Sequence, residues 1–247
     1  AMTGGKGIWD LEIPHLDADA APAWDVPSYY RYNVVPTVTG RGHSLLFRIH
    51  PYWSRNVPDD SVDPYKLADY AADAQAAADL LKDFCHVWQI GNEVNLTVEN
   101  NRWSGSAYDE TWTPTPAQYA DTYVALRDSI HQVTPTTSPN NQVCLMQPVS
   151  PGHAGSPAIR FMDGNEFLWR QIDAVADKSK IDGFAIHGYS DPATAGIDYG
   201  MEGFWDSITE QISIIDQFGL GDRPIFIGEW NKHMPDAGNA SVGASFL

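Results

Sequence analysis

The sequence has no run of about 18 apolar residues, the length a helix needs to cross a bilayer, and this excludes a membrane-spanning helix. Basic residues are also scarce. Fifteen Lys and Arg stand against 32 Asp and Glu, for a formal charge of -17. A surface of that sign repels nucleic acid and anionic membranes and leaves a neutral polar molecule as the easier partner. Cysteine occurs twice, at Cys85 and Cys144. Two residues are too few for a disulfide scaffold, and their places just before and inside apolar runs read as small buried thiols. There is no Gly-x-Ser-x-Gly elbow, no His-Glu-x-x-His, no phosphate-binding Gly-Lys-Ser/Thr loop and no cysteine pair at zinc spacing. The histidines are scattered without ligand spacing, and Asp59, Asp60 and Asp63 read as a solvated acidic loop. The sequence therefore calls for no metal or cofactor. The first residues carry no signal-peptide core, which leaves localisation open, including secretion with a leader removed. Asn95-Leu96-Thr97 and Asn239-Ala240-Ser241 have the form of glycosylation sequons.

What the chain does have is 247 residues, 43% hydrophobic and 12% aromatic, enough for one large core, and residues 1–247 read as a single domain. Short β-branched or aromatic runs alternate with longer helical periods, the pattern of βα units around a parallel sheet. Six strands are predicted: Gly7 to Ile13, Ser44 to His50, Val87 to Asn92, Gln142 to Pro148, Ile181 to His187 and Pro224 to Glu229. Between Pro64 and Phe84, Leu67, Tyr70, Ala71, Ala74, Ala78 and Leu81 recur at helical spacing. A second helix starts at Thr115-Pro116, a cap followed by proline in the first turn, and buries Tyr119, Tyr123, Leu126 and Ile130. A third spans about Glu166 to Asp177, and a fourth runs from about Glu202 to Phe218, burying Trp205, Ile208, Ile212 and Ile215. Val34 to Val38 reads as a short strand interrupted by Pro36, and Val57 to Asp63 and Asn100 to Thr115 read as loops, the latter with Trp103, Tyr108 and Trp112.

The chemistry is placed at two strand ends. Val87-Trp88-Gln89-Ile90 is apolar except for Gln89 and then presents Gly91-Asn92-Glu93 at its C-terminal end; Ile225-Phe226-Ile227 does the same with Gly228-Glu229-Trp230. A lone glutamate after a strand is usually a cap or a surface charge. Two in matching contexts, each near a glycine at the mouth of a parallel barrel, suit a reaction that needs two carboxyls across one bond.

The run from Trp88 to Asn95 resembles the acid/base motif of the glycoside hydrolase clan in which Asn-Glu closes the fourth strand of a (β/α)₈ TIM-type barrel, and Gly228-Glu229-Trp230 is similar to its nucleophile strand. The resemblance implies a retaining β-glycosidase acting on a carbohydrate, with Glu229 ionised as nucleophile and Glu93 protonated as general acid/base. It also implies that Asn92 holds the sugar 2-hydroxyl and that His187 and Tyr189 line the catalytic subsite, the phenol near the nucleophile. Double displacement implies carboxyls roughly 5 to 5.5 Å apart. Arg48, a charge inside the apolar run Leu46 to Ile49, needs a buried partner, either Glu229 or a structural acid such as Asp10. His50, Trp53, Gln147 and Trp230 are weaker candidates for the same mouth.

If Asn-Glu closes the fourth strand, Ser44 to His50 is the third and Gly7 to Ile13 the second, so the first or last strand of the barrel is missing or atypical. Only 18 residues follow Glu229. An open sheet edge would be covered by a loop or a second copy, which leaves monomer and homodimer both open. Two alternatives to an active glycosidase are a catalytically impaired carbohydrate-binding barrel and a partner-binding protein.

Overall fold

The computed structural model describes residues 8–13, 26–51, 55–63, 65–100, 102–103, 108–109, 112–135, 142–151, 161–190 and 200–232. Among them, β1 (Ile8–Ile13), β2 (Ser44–Ile49) and β3 (Cys85–Ile90) are followed by a short antiparallel ribbon, β4 (Arg102–Trp103) and β5 (Tyr108–Asp109). Then come β6 (Val143–Met146), β7 (Gly183–Ser190) and β8 (Ile225–Lys232). The helices are α1 (Val26–Tyr29), α2 (Val35–Gly40), α3 (Leu67–Leu81), α4 (Pro116–Ile130), α5 (Gly164–Ala174) and α6 (Gly200–Gln217). The sheet runs β1-β2-β3-β6-β7-β8, every pair parallel, and curls into a half-barrel with β1 and β8 at its two edges. This is the incomplete α/β barrel that the strand count implies. The segment from Asn100 to Thr115 is not wholly loop, since it holds the β4–β5 ribbon.

The alternation of side chains along the strands divides the core in two. Leu46, Leu145 and Ala185 face the barrel interior with Val87, Val143 and Phe226. Phe47, Ile49, Trp88, Ile90, Cys144, Met146, Phe184 and Ile186 face the helices. The predicted stripe on α3 is buried at Tyr70, Ala71, Ala74, Ala78 and Leu81, and that on α4 at Tyr119, Tyr123, Leu126 and Ile130. Thr115 and Gln118 form the reciprocal cap of α4, ahead of Pro116. Tyrosines of these helices also reach the strands: Tyr70 donates to the Ile49 carbonyl, Tyr119 to that of Ile90 and Tyr123 to that of Cys144. Both cysteines are free and buried, as their sequence contexts suggest.

Three further expectations are corrected. Val34 to Val38 is not a strand: Tyr30–Val34 forms a π-helical turn leading into α2, with Pro36 in that helix's first turn. Proline is tolerated there because the first helical amides lack partners, and a widened turn relieves the clash of its ring with the preceding carbonyl. Trp205 on α6 is 54% exposed. The helix instead packs through Phe204, Ser207, Ile208, Gln211 and Ile215, and Gln211 Nε2 donates to the His187 carbonyl at 2.7 Å. A side chain on Gly188 would collide with Phe204 and Ile208, so this glycine lets α6 lie close against β7. The acidic loop is not simply solvated, because Asp63 is fully buried, accepts from the Asp59 amide and pairs with Arg55 at 3.3 Å. No helix among the described residues is long and apolar enough to cross a membrane.

At the N-terminal end of the strands, Asp182 ties α4 to β6 and β7. Arg127 reaches its Oδ1 through Nε and Nη2 at 3.1 and 3.0 Å, while Oδ2 lies 2.6 Å from His131 Nε2 and accepts from the Cys144 amide at 3.0 Å. Burial would raise this carboxyl, but His131, the Cys144 amide and Arg127 outweigh it and hold Asp182 below the usual carboxylate value. In urea unfolding, Asp182→Asn is expected to cost about 3 kcal/mol, because it removes the charge that Arg127, His131 and the Cys144 amide share and leaves Arg127 only its contact with Asp128 at 3.0 Å. The sign with pH follows: the unfolded chain takes up the proton first. Stability is therefore full above the ordinary carboxylate value and is lost as pH falls through the lowered folded one.

Candidate active site

The two strand-end glutamates reach the mouth by different backbone devices. Beyond β3 the chain turns sharply: Gly91 has φ 81° and Glu93 has φ 39°. The left-handed region is uncommon for a residue with a Cβ and is held only where the surroundings over-determine it. Here buried amides do so. Asn56, itself fully buried, accepts from the Asn92 amide through Oδ1 at 2.7 Å and donates from Nδ2 to the Asn92 carbonyl at 2.9 Å, like one more residue of strand. A Cβ on Gly91 would stand 3.0 Å from that Oδ1, so glycine is needed for the approach as well as for the dihedral. The Glu93 amide donates to the Pro148 carbonyl and the Val94 amide to Gln147 Oε1, both at 3.0 Å. Asn95 exchanges hydrogen bonds with the backbone of Ser150, and Asn100 Nδ2 donates to the carbonyls of Val94 and Leu96. Asn95 is fully buried. That is a physical reason against the sequon at this position carrying a glycan in the folded chain. The sequon at Asn239 lies outside the described residues.

On β8 the device is a bulge. Ile186 pairs with Ile227 and His187 with Glu229, so Gly228 is an extra residue without a partner on β7. Strict alternation from Phe226, which faces the interior, would turn Glu229 outward; the extra residue turns it back beside His187.

The side chains then converge. Arg48 Nη1 donates to Glu229 Oε1 at 2.6 Å and to Asn92 Oδ1 at 2.9 Å, so its partner is the strand-end glutamate. Tyr189 donates to Glu229 Oε2 at 2.7 Å. His187 Nδ1 lies 2.9 Å from Glu93 Oε1 and 3.2 Å from the Tyr189 hydroxyl, and its Nε2 lies 3.9 Å from Glu229 Oε1. The His187 side chain is fully buried, whereas those of Glu93 and Glu229 keep 13% and 39% of their exposure, so both carboxyls can be reached from solvent.

The electrostatics separate the groups. Burial by itself would raise Glu229, but the charge His187 can carry, the hydrogen bonds from Arg48 and Tyr189 and the Arg48 charge outweigh it, and the carboxyl lies below its ordinary value. Burial, followed by the charges of Glu93 and Glu229, pushes the Tyr189 phenol far up. It keeps its proton and serves as a donor.

Of the other predicted residues, His50 is buried just past the end of β2, and Gln147 is fully buried, bridging the Val94 amide to Gln171. Gln147 thus braces the loop behind Glu93. Trp53 lies outside the described residues. Trp230 stands opposite Gly188 in β8, and its side chain is likewise outside them. The residues not anticipated are Asn56, Asn100 and Gln211, whose polar side chains work on backbone that periodicity does not reveal. Gln89 carried a signal, being polar within an apolar strand in the same way as Arg48. One group of potential metal ligands occurs among the described residues, His131, Cys144 and Asp182. Arg127 already neutralises the Asp182 carboxylate, and burial holds the Cys144 thiol well above its usual value, so the group is accounted for as an ion-pair network.

Neither a family profile nor a curated protein matches the chain by sequence. Solved structures do match by fold. A broad-specificity endoglucanase from an uncultured bacterium aligns over 96% of this chain and 66% of its own, with 15% identity and a TM-score of 0.60. Endo-glycoceramidase II from a Rhodococcus species aligns over 95% and 60%, with 16% identity and a TM-score of 0.56. A glucosidase from Croceicoccus marinus aligns over 85% and 40%, with 18% identity and a TM-score of 0.54. The chain therefore spans less than two thirds of each of these proteins. What it shares with them is the fold, a parallel α/β half-barrel that matches part of a TIM-type barrel.

Proposed function

We propose that the protein is a retaining glycoside hydrolase that cleaves β-glycosidic bonds of an oligo- or polysaccharide, with Glu229 as nucleophile and Glu93 as general acid/base. The observation that carries the reading is the convergence of both carboxyls on the His187 imidazole, with Arg48 and Tyr189 each donating to a different oxygen of Glu229. The glycosidase neighbours support it at the level of the fold.

In the first step a Glu229 oxygen attacks the anomeric carbon while Glu93 gives its proton to the departing glycosidic oxygen, which leaves as an alcohol. In the second, Glu93 takes a proton from water as that water attacks the same carbon, and Glu229 departs as the carboxylate. Two inversions return the starting configuration. Arg48 and Tyr189 keep Glu229 ionised and oriented, and Asn92, its Oδ1 engaged by Arg48, has Nδ2 to offer the sugar 2-hydroxyl.

Hydrolysis of a panel of aryl β-glycosides and β-linked polysaccharides, followed by proton NMR of the first-formed hemiacetal, tests the proposal. The expected product is the β-anomer. An α-anomer would exclude double displacement, and no cleavage by folded protein would favour a barrel that binds without turnover. The lowered Glu229 value adds a prediction. Arg48→Met removes a hydrogen bond and a positive charge from the nucleophile, so the acid limb of the kcat/KM profile, which reports that ionisation, is expected to move to higher pH. An unmoved limb would show that Arg48 does not tune the nucleophile.

A further inference from the structure

Beneath the two glutamates, two buried polar atoms point at one spot. Gln89 Oε1 and His187 Nε2 are both buried, and neither has a hydrogen-bond partner among the described residues. A Cβ built on Gly228 would stand 3.3 Å from the first and 3.4 Å from the second. They converge over the bulge glycine, each close to the same point. Gln89 Nε2 donates to the Gly91 carbonyl at 3.0 Å, so the atom turned toward His187 is Oε1, an acceptor.

We infer that Gln89 is a positioning residue: across Gly228 it holds the proton of His187 on Nε2, and thereby decides which way the proton between His187 and Glu93 is used. This deepens the glycosidase reading of the site and rests on it for its kinetic meaning. A buried acceptor requires a donor, and the side chain facing Gln89 Oε1 over Gly228 is His187. With Nε2 protonated, neutral His187 presents a bare Nδ1 to Glu93 Oε1 at 2.9 Å. Tyr189 cannot fill that contact, since its one proton goes to Glu229. The proton between Nδ1 and Oε1 must then come from Glu93, and it is the proton delivered to the leaving oxygen. In the opposite tautomer Nδ1 would donate to an ionised Glu93, which has nothing to deliver. The charged and titratable groups around the ring are Glu93 after β3, Tyr189 on β7 and Glu229 on β8, with Arg48 on β2 acting through Glu229.

The test reads the tautomer directly. In ¹⁵N-labelled wild type, long-range proton–nitrogen spectra of His187, assigned with a His187→Gln variant, are expected to show Nε2 protonated across the neutral range. A bare Nε2 with a protonated Nδ1 overturns the inference, whatever the protein turns over. In Gln89→Leu the ring is expected to populate the Nδ1–H form and the basic limb of kcat/KM to move to lower pH, because Nδ1–H stabilises ionised Glu93. Gln89→Glu, which keeps an acceptor at the same place, is expected to retain the Nε2–H form. A Gln89→Leu enzyme with lower kcat but an unmoved limb and an unchanged His187 spectrum would make Gln89 a packing residue and overturn the inference.

Discussion

Replacing Glu229 with glutamine is expected to lower turnover by on the order of 10⁴-fold or more while the protein stays folded. The amide has nearly the shape of the carboxylate, and its one oxygen can still accept from Arg48 or from Tyr189, which in the wild type donate to different oxygens. What it lacks is a second acceptor oxygen and the negative charge that attacks the anomeric carbon. The loss should be similar for substrates with good and poor leaving groups, because bond formation to the nucleophile is common to both. Steady-state rates on a pair of aryl glycosides that differ in phenol acidity check this. Residual activity within tenfold of wild type would remove Glu229 from the role.

Glu93→Gln is expected to behave differently, and the difference assigns the roles. With poor leaving groups the rate should fall by about 10² to 10⁴-fold, the range over which a positioned acid acts. With a dinitrophenyl glycoside, whose leaving group departs without a proton, the first step should be nearly normal and the second slow, so that a covalent intermediate accumulates and a burst appears. Azide ion needs no general base. Added azide is therefore expected to restore turnover and give a β-glycosyl azide. Rescue in Glu229→Gln with no rescue in Glu93→Gln would mean that the two roles are exchanged.

Much of the site could be read along the chain because its chemistry sits at strand ends. Gly-Asn-Glu and Gly-Glu-Trp break apolar runs abruptly, and Arg48 stands out because a charge in an apolar strand must have a partner. The partner found, Glu229, is one of the two that the position allowed. Gln89 offered the same kind of signal more quietly. Asn56 offered none, since a lone asparagine in an irregular loop looks the same whether it is solvated or replaces a residue of strand. Trp205 misled because Phe204 next to it could equally have begun the buried stripe, and only the close approach allowed at Gly188 selects between them.

By itself the sequence pointed to the class of fold, the order of the six parallel strands and of the four long helices, and the two strand-end carboxyls. Those follow from local periodicity and from the end of each strand at which a parallel barrel presents its residues. Tertiary structure alone decided which way the carboxyls face. The bulge that turns Glu229 inward exists only as a mismatch between β8 and β7, and the left-handed backbone of Glu93 persists only because Asn56, Gln147 and Asn100, distant in sequence or placed after the turn, take up the backbone hydrogen bonds around it. Both are relations between segments, and a period read along one segment does not contain them.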